Sequence, residues 1–292
     1  MPELPEVQTT VNGLSKTIVG KTITDIWSDF HIGTTHGHKQ NIKNKKYLAD
    51  FKKRSIGAKV INVERKGKNI LINLHNNETI IVHMKMTGHL MYSGYNTSDP
   101  YNGYIHFKLV FSDGTEMVLS DLRKFASVCI EKSDELKNHE GLSVLGPDPL
   151  RMGREEFIKK VISKNGPVKS ILMDQGVIAG IGNIYSDEIL WASKVHPLSN
   201  AANIPEKIGR IMFSNTQRIL KKSIELGGDS MSDYRNAFGE KGGFQNCHKA
   251  YRQTGKKCAH LYCRNKKNAI ITRMVVKGRS SHFCPIHQKL YT

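Results

Sequence analysis

The apolar positions of this chain change period along its length. Up to about residue 131 they alternate or fall in short blocks bounded by turn residues. Segments 59–63, 69–74, 79–84, 104–111 and 116–119 therefore predict strands. Asn76-Asn77 and Asp113-Gly114 lie between such blocks and tolerate the positive φ of tight hairpins, so the sheet should be antiparallel and hairpin-rich. A helix is expected ahead of these strands, from Glu6 to about Thr17, holding the first residues at a fixed point. Residues 134–149 are irregular and end in Gly146-Pro147-Asp148-Pro149, which reads as a linker.

Beyond that linker the period becomes helical. Residues 154–164 are amphipathic, 168–174 begin another helix interrupted by Gly176, Gly180 and Gly182, and 184–194 resume it. In 205–226, Ile208, Ile211, Met212, Ile219 and Ile224 read as one core-facing stripe, which Gly227-Gly228 ends. Residues 239–246 are Gly-rich and are expected to be mobile. Residues 270–276 and 280–283 flank Lys277-Gly278 and predict a final hairpin.

Composition adds a partner and a compartment. The chain has 292 residues, 38% of them apolar, enough for about two domains with buried cores. No stretch approaches the roughly 20 apolar residues of a membrane helix, and no signal-like start is present, so no membrane partner and an intracellular location are expected. The formal charge of +18 points to a polyanion, nucleic acid first and anionic membrane second. Residues 241–292 hold twelve Lys and Arg with no Asp or Glu, and the run from Lys39 to Lys68 holds eleven against two. Five cysteines suit a disulfide framework poorly, and three lie in the last 35 residues, which favours a metal site in a reducing compartment.

That site would use Cys258 and Cys263, four residues apart, with Cys284 and His287, two residues apart, beyond the hairpin. Thiolates and imidazole suit tetrahedral zinc. His260 and His282 compete for the last place, and a metal-free hairpin with buried thiols is the alternative. A segment of about 40 residues with few apolar side chains argues against it, because so small a core needs a staple. Cys129 and Cys247 are expected to be unpaired.

The start of the chain can itself do chemistry. If Met1 is removed, Pro2 presents a secondary amine able to form an iminium with an electrophilic carbon. With an ordinary α-amino pKa of about 7.7–8.0, roughly a tenth or more is unprotonated at neutral pH. Glu3 is the nearest proton donor. The alternative is a shielded terminus with two solvated carboxylates. Gly180-Ile181-Gly182-Asn183 opens a helix, where free N–H groups and the dipole favour an anion; Asn183 could cap that helix or donate to a phosphate. Met86, Arg123 and Phe125 fall at loop positions from which they could enter a base stack, although Met86 and Phe125 would otherwise read as core. Lys68 could equally be surface charge.

Taken together, the chain resembles the formamidopyrimidine-DNA glycosylase family of bifunctional base-excision enzymes, related to the endonuclease VIII glycosylases. The resemblance rests on PELPEV at residues 2–7, Gly67-Lys68, Met84-Lys85-Met86-Thr87-Gly88, Asp121-Leu122-Arg123-Lys124-Phe125, Leu145-Gly146-Pro147-Asp148-Pro149-Leu150, Gly180-Ile181-Gly182-Asn183-Ile184-Tyr185 and Gly278-Arg279-Ser280-Ser281-His282-Phe283-Cys284-Pro285. It implies an α+β fold with an N-terminal β-sandwich, a helical helix-two-turn-helix domain and a C-terminal zinc-finger β-hairpin, with DNA in the cleft between lobes. The corresponding segments would be a catalytic domain over 1–132, a linker over 133–150, a DNA-binding domain over 151–240 and the finger over 241–292.

Carried over by position, the resemblance implies that Pro2 attacks C1′ and Glu3 protonates the ribose ring oxygen. Lys68 would contact phosphate and take part in elimination, and Arg279 would hold phosphate and assist the second elimination. Lys164, Lys169 and Asn183 would grip the backbone, while Met86, Arg123 and Phe125 fill the vacated space, with Arg123 facing the orphaned base. The implied partner is damaged double-stranded DNA, bound by a monomer carrying one structural Zn2+. Leu4 and the segment 227–244 favour oxidised purines such as 8-oxoguanine and formamidopyrimidines; oxidised pyrimidines, or a non-catalytic zinc-containing nucleic-acid-binding protein, are the alternatives. The chain departs from the family pattern at Lys85 and Ala126, where Gly is usual, at Tyr104, where many members carry a histidine, and in the C-x4-C and terminal His287 of the finger.

Overall fold

Glu3 and Glu6 start the first helix two residues earlier than the apolar pattern predicts. In the computed structural model, which describes residues 1–32 and 41–292, α1 runs Leu4–Thr17. Lys39, where the first basic run begins, lies outside the described residues. Glu3 is the N-cap of α1 and forms a capping box with Glu6, its own N–H donating to Glu6 Oε2 at 2.7 Å. Two N–H groups that a helix start leaves unmet are thereby satisfied. Pro5 lies in the first turn, where a missing N–H costs nothing.

The strands are β1 (Ile23–Ser28), β2 (Val60–Lys66), β3 (Asn69–Leu74), β4 (Glu78–His83), β5 (His89–Tyr92), β6 (Ile105–Phe111), β7 (Glu116–Ser120) and β8 (Ser127–Lys132). They form two antiparallel four-stranded sheets, ordered β1-β6-β7-β5 and β2-β3-β4-β8. Ile70 and Ile72 from one sheet and Phe107, Leu109 and Phe111 from the other share a core with Val7 and Leu14 of α1. Each such side chain contributes about 1.5–3 kcal/mol on burial, so this β-sandwich carries its own hydrophobic stabilisation. The hairpin turns fall where expected, with Asn77 at φ 62 and Gly114 at φ 78.

Within the first basic run, the chain forms α2 (Lys45–Ser55), which the sequence pattern leaves as a charged stretch. Its inward face is narrow: Leu48, Phe51 and Ser55 are buried, and Asn44 caps it by accepting the N–H groups of Lys46 and Tyr47. A short helix, α3 (Glu140–Ser143), precedes α4 (Arg154–Ile162), α5 (Val168–Met173), α6 (Asn183–Ala192) and α7 (Glu206–Glu225). Of the stripe expected on α7, Met212 and Ile219 are buried, whereas Ile211 is 40% exposed and Ile208 and Ile224 are half-buried; the inward face is completed by Gly209, Thr216 and Leu220. Helix packing is close at Gly209, since a Cβ there would stand 2.7 Å from Ile162 Cδ1. The final hairpin comprises β9 (Thr272–Val276) and β10 (Arg279–Phe283), joined through Lys277 and Gly278, both at positive φ.

The chain folds into two compact units, Met1–Ser143 with Ser223–Gln245, and Val144–Lys222 with Asn246–Thr292. Polar bonds tie the returning segment to the first unit: Tyr234 Oη donates to Glu6 O at 2.9 Å, and Arg235 Nε meets Asp99 Oδ2 at 2.7 Å. The Gly-rich stretch expected to be mobile is packed. Gly242 N donates to Ser230 Oγ at 2.9 Å, and a Cβ there would stand 2.2 Å from Gly228 O.

His89 makes stability pH-dependent. It is 1% exposed, its Nε2 lies 3.2 Å from Asn102 Oδ1, and burial holds its pKa down at about 4. Between about 6.5 and 4 the unfolded chain binds a proton here that the folded chain refuses. The contribution is thus complete above the unfolded pKa and is lost as pH falls, by about 3 kcal/mol in all. Denaturant melts of the wild type should weaken from pH 7 to pH 5, and His89→Gln should weaken less; parallel losses would exclude His89 as a source.

Candidate functional site

Pro2 is buried and immediately precedes the capped turn of α1, while Met1 is exposed. Glu3 is 2% exposed, its carboxylate accepting from the N–H of Glu6. Glu6 also reaches the returning segment, where its Oε1 accepts the N–H of Asp229 at 2.8 Å. The first residues are therefore fixed from two sides. Glu6 is an anchoring residue that sequence reasoning missed, although the E-x-x-E spacing of PELPE was its signal.

Lys68 occupies the turn between β2 and β3, where Gly67 adopts φ 60. It is 8% exposed, which does not fit a freely solvated surface lysine. Arg65 holds this turn to α1: its Nη1 donates to Gly67 O at 3.1 Å and its Nε to Gln8 Oε1 at 2.9 Å. Burial, followed by the Lys85 and Lys68 charges, pushes the His83 imidazole down to about 3. Pro2, Glu3 and the Lys68 turn are thus all anchored on one helix.

Met86 and Phe125 are exposed, not core, at 44% and 45%. The Arg123 guanidinium carbon lies 4.3 Å from the Phe125 ring centroid, and Arg123 Nη1 is 3.5 Å from Met86 Sδ. Side chains from two loops, Met86 from one and Arg123 and Phe125 from the other, therefore make one exposed cluster. Asp121, which sequence reasoning passed over, joins the two loops beneath it. This fully buried carboxylate accepts from the Thr87 hydroxyl, from Arg123 N at 3.3 Å and from Ala126 N at 2.7 Å. Lys85 and Lys124 adopt φ 54 and 52 in these loops. The left-handed backbone at Lys85 explains why glycine suits that position, and a lysine there costs about 1 kcal/mol. Tyr104 is exposed beside the second loop, its carbonyl accepting the N–H of Asp121 at 2.8 Å.

In the second unit, Asn183 is the first residue of α6, and the N-cap is Gly182. Asn183 does not cap this helix; its buried Oδ1 has no hydrogen-bond partner among the described residues. Lys164 is exposed just beyond α4, beside Lys159 and Lys160 in an open depression. Arg279 is exposed at the start of β10. Lys169 is placed differently: it is fully buried, its ammonium 2.5 Å from Asp187 Oδ1 and 2.9 Å from Ser280 O.

Cys258, Cys263, Cys284 and His287 converge, all four buried, with their ligand atoms within 4.8 Å of one another. Cys263 and Cys284 Sγ are 3.7 Å apart, and His287 Nδ1 lies 3.5 Å from Cys258 Sγ and 3.6 Å from Cys263 Sγ. His287 Nε2 donates to Trp191 O at 3.1 Å, which leaves the Nδ1 lone pair facing the thiols. The competing histidines are engaged elsewhere. His260 stacks on His287 at 4.4 Å, and His282 Nδ1 lies 2.9 Å from Asp187 Oδ2. This cluster can hold a metal ion. Cys129 and Cys247 are free, as expected.

Comparison with known proteins agrees with this arrangement. Family models described as the formamidopyrimidine-DNA glycosylase N-terminal domain and the formamidopyrimidine-DNA glycosylase H2TH domain match residues 1–128 and 145–235. A formamidopyrimidine-DNA glycosylase of Lactobacillus acidophilus is 34% identical over 298 residues, covering 100% of both chains. A complex between the Lactococcus lactis Fpg and DNA containing an abasic site superposes with a TM-score of 0.82 at 28% identity, over 98% of this chain and 99% of that one. MutM in complex with DNA containing carbocyclic 8-oxo-G superposes at 0.81 and 29% identity, over 99% and 100%. With both domain models matched and full-length relatives above 30% identity, this chain belongs to the formamidopyrimidine-DNA glycosylase family.

Proposed function

We propose that the protein is a bifunctional DNA glycosylase and abasic-site lyase that removes oxidised purines, such as 8-oxoguanine and formamidopyrimidines, from double-stranded DNA. The observation that carries this reading is the Glu3–Glu6 capping box, which holds Pro2 at a fixed point at the head of α1. The names of the relatives and the DNA bound by the solved neighbours favour the purine lesions.

Once Met1 is removed, Glu3 gives a proton to the ring oxygen as the C1′–O4′ bond opens, and the Pro2 nitrogen bonds to C1′. The Pro2 N–H proton passes to the damaged base as its bond to C1′ breaks, leaving an iminium. The iminium acidifies C2′–H. Loss of that proton forms the C2′–C3′ double bond and expels the 3′ phosphate. Loss of the C4′ proton then expels the 5′ phosphate, and water releases Pro2. Lys68 and Arg279 assist these two eliminations at the phosphates. Met86, Arg123 and Phe125 fill the space behind the extruded nucleotide, which offsets a flipping cost of a few kcal/mol. Lys164 and Asn183 grip the backbone, with Lys169 supporting that grip. Residues 1–132 act as the catalytic domain, 133–150 as linker, 151–240 as the DNA-binding domain, of which 223–240 packs with the first compact unit, and 241–292 as the finger.

Cys258, Cys263, Cys284 and His287 would hold one structural zinc, and the 3.7 Å between the Cys263 and Cys284 Sγ atoms suits two thiolates on one ion. Bound there, zinc would supply folding energy and no catalysis.

Borohydride trapping tests the reading. Purified protein whose intact mass shows loss of Met1 should become covalently attached to abasic-site DNA, and Pro2→Gly should trap at least about tenfold less. A wild type that yields no adduct would leave a non-catalytic DNA-binding protein instead.

A further inference from the structure

Asp187 is buried one turn into α6, four residues after Asn183, and its contacts converge on the hairpin that carries Arg279. Its Oδ1 accepts from the Lys169 ammonium at 2.5 Å and from the Ser281 hydroxyl at 2.9 Å. Its Oδ2 accepts the His282 N–H at 2.9 Å and faces His282 Nδ1 at the same distance. Lys169 also donates to Ser280 O at 2.9 Å. One buried ion pair thus holds Ser280, Ser281 and His282, the three residues directly after Arg279. The neighbouring acid has a different task. Glu188 accepts the N–H groups of Ala250 at 2.9 Å and Tyr251 at 2.8 Å, in the part of the finger that precedes Cys258.

We propose that Asp187 is the positioning residue for Arg279. With Lys169 it fixes β10 on α6, so that the guanidinium meets the phosphate expelled in the second elimination. The inference rests on the role given above to Arg279. A buried ion pair contributes little net stability over apolar side chains of the same shape, because desolvation offsets the attraction. What this one supplies is direction, since its bonds to consecutive residues of one strand fix that strand in depth and rotation. A two-stranded hairpin has little rigidity alone, and Arg279 stands beside its turn. The same helix begins with Asn183, so both phosphate contacts are set on one rigid element.

Single-turnover assays on an abasic-site duplex, with the full-length zinc-loaded protein, separate the two eliminations. Asp187→Asn should lower the rate of the second elimination relative to the first by about tenfold to a hundredfold, the penalty of an ångström-scale displacement. It should add nothing further in an Arg279→Ala background, because it acts through that residue. Glu188→Gln, which loosens the finger elsewhere, should leave the partition alone. An unchanged partition in Asp187→Asn, losses that add to those of Arg279→Ala, or an equal shift in Glu188→Gln would each overturn the proposal. If Asp187→Asn does not fold, Ser281→Ala keeps the ion pair and removes one hairpin bond; it should shift the partition the same way but less, and no shift overturns the proposal. Loss of borohydride trapping in the wild type would strike the glycosylase reading, whereas normal trapping with an unaltered partition strikes only this one.

Discussion

Glu3→Gln should abolish base excision while leaving DNA affinity nearly unchanged. General acid catalysis contributes about 10²–10⁴-fold, and glutamine cannot supply the proton. Glutamine can still accept the N–H of Glu6, so the helix start should survive with a loss of about 0.5 kcal/mol or less. Chemistry and structure are separable at this one position. Excision measured at saturating enzyme reports the first and duplex binding reports the second. Equal excision rates in mutant and wild type would remove Glu3 from the mechanism; a loss of affinity matching the loss of rate would make it a structural cap.

Removing the metal should melt the finger and leave the sandwich intact. Around its cysteines the finger packs a small apolar cluster of Ala269 and Ile271, with Trp191 and Ile286 partly buried against it, while the hairpin itself adds Val276 and Phe283. That core is too small to order a strand pair, whereas a structural zinc site is worth about 10 kcal/mol or more of folding energy. Chelated protein should lose hydrogen-exchange protection across β9 and β10 while the amides of β3 and β4 stay protected. The slope of log affinity against log salt should become shallower by about one for each phosphate the finger no longer neutralises, beginning with that of Arg279. Intact-mass measurement should find one zinc in the untreated chain. Protection of the hairpin that survives chelation would show that packing alone holds it.

What could be read from the chain depended on how local each signal was. The blocks at 69–74 and 105–111 and the turn residues Asn77 and Gly114 each carry their preference within a few residues, so these strands and hairpins were legible. So was the metal cluster, because its spacing and the basic, apolar-poor context are sequence properties. The β1 and β5 strands and α2 were not read, since β1 does not alternate regularly, β5 has only four residues and a helix with only Leu48 and Phe51 as buried apolar residues lacks a period that a pattern can register. The α7 stripe was read only in part, through Met212 and Ile219, because Gly209 packs by having no side chain, which hydrophobicity does not score.

By itself the sequence determined which chemistry is possible: a proline beside a carboxylate at positions 2 and 3, a secondary amine once Met1 is removed, four metal-ligating side chains in two pairs and an excess of cationic residues for a polyanion. Those are properties of residue types and short spacings, and they hold however the chain folds. Only the tertiary structure decided which residues share a place. It returned 223–245 to the first unit, where Asp229 binds Glu6, and gathered Met86, Arg123 and Phe125 into one exposed cluster over a buried Asp121. It also withdrew Lys169 from the surface onto Asp187, a pairing made 18 residues apart across two helices. Such meetings are set by long-range packing and by the need to satisfy buried charge, and neither leaves a mark in local pattern.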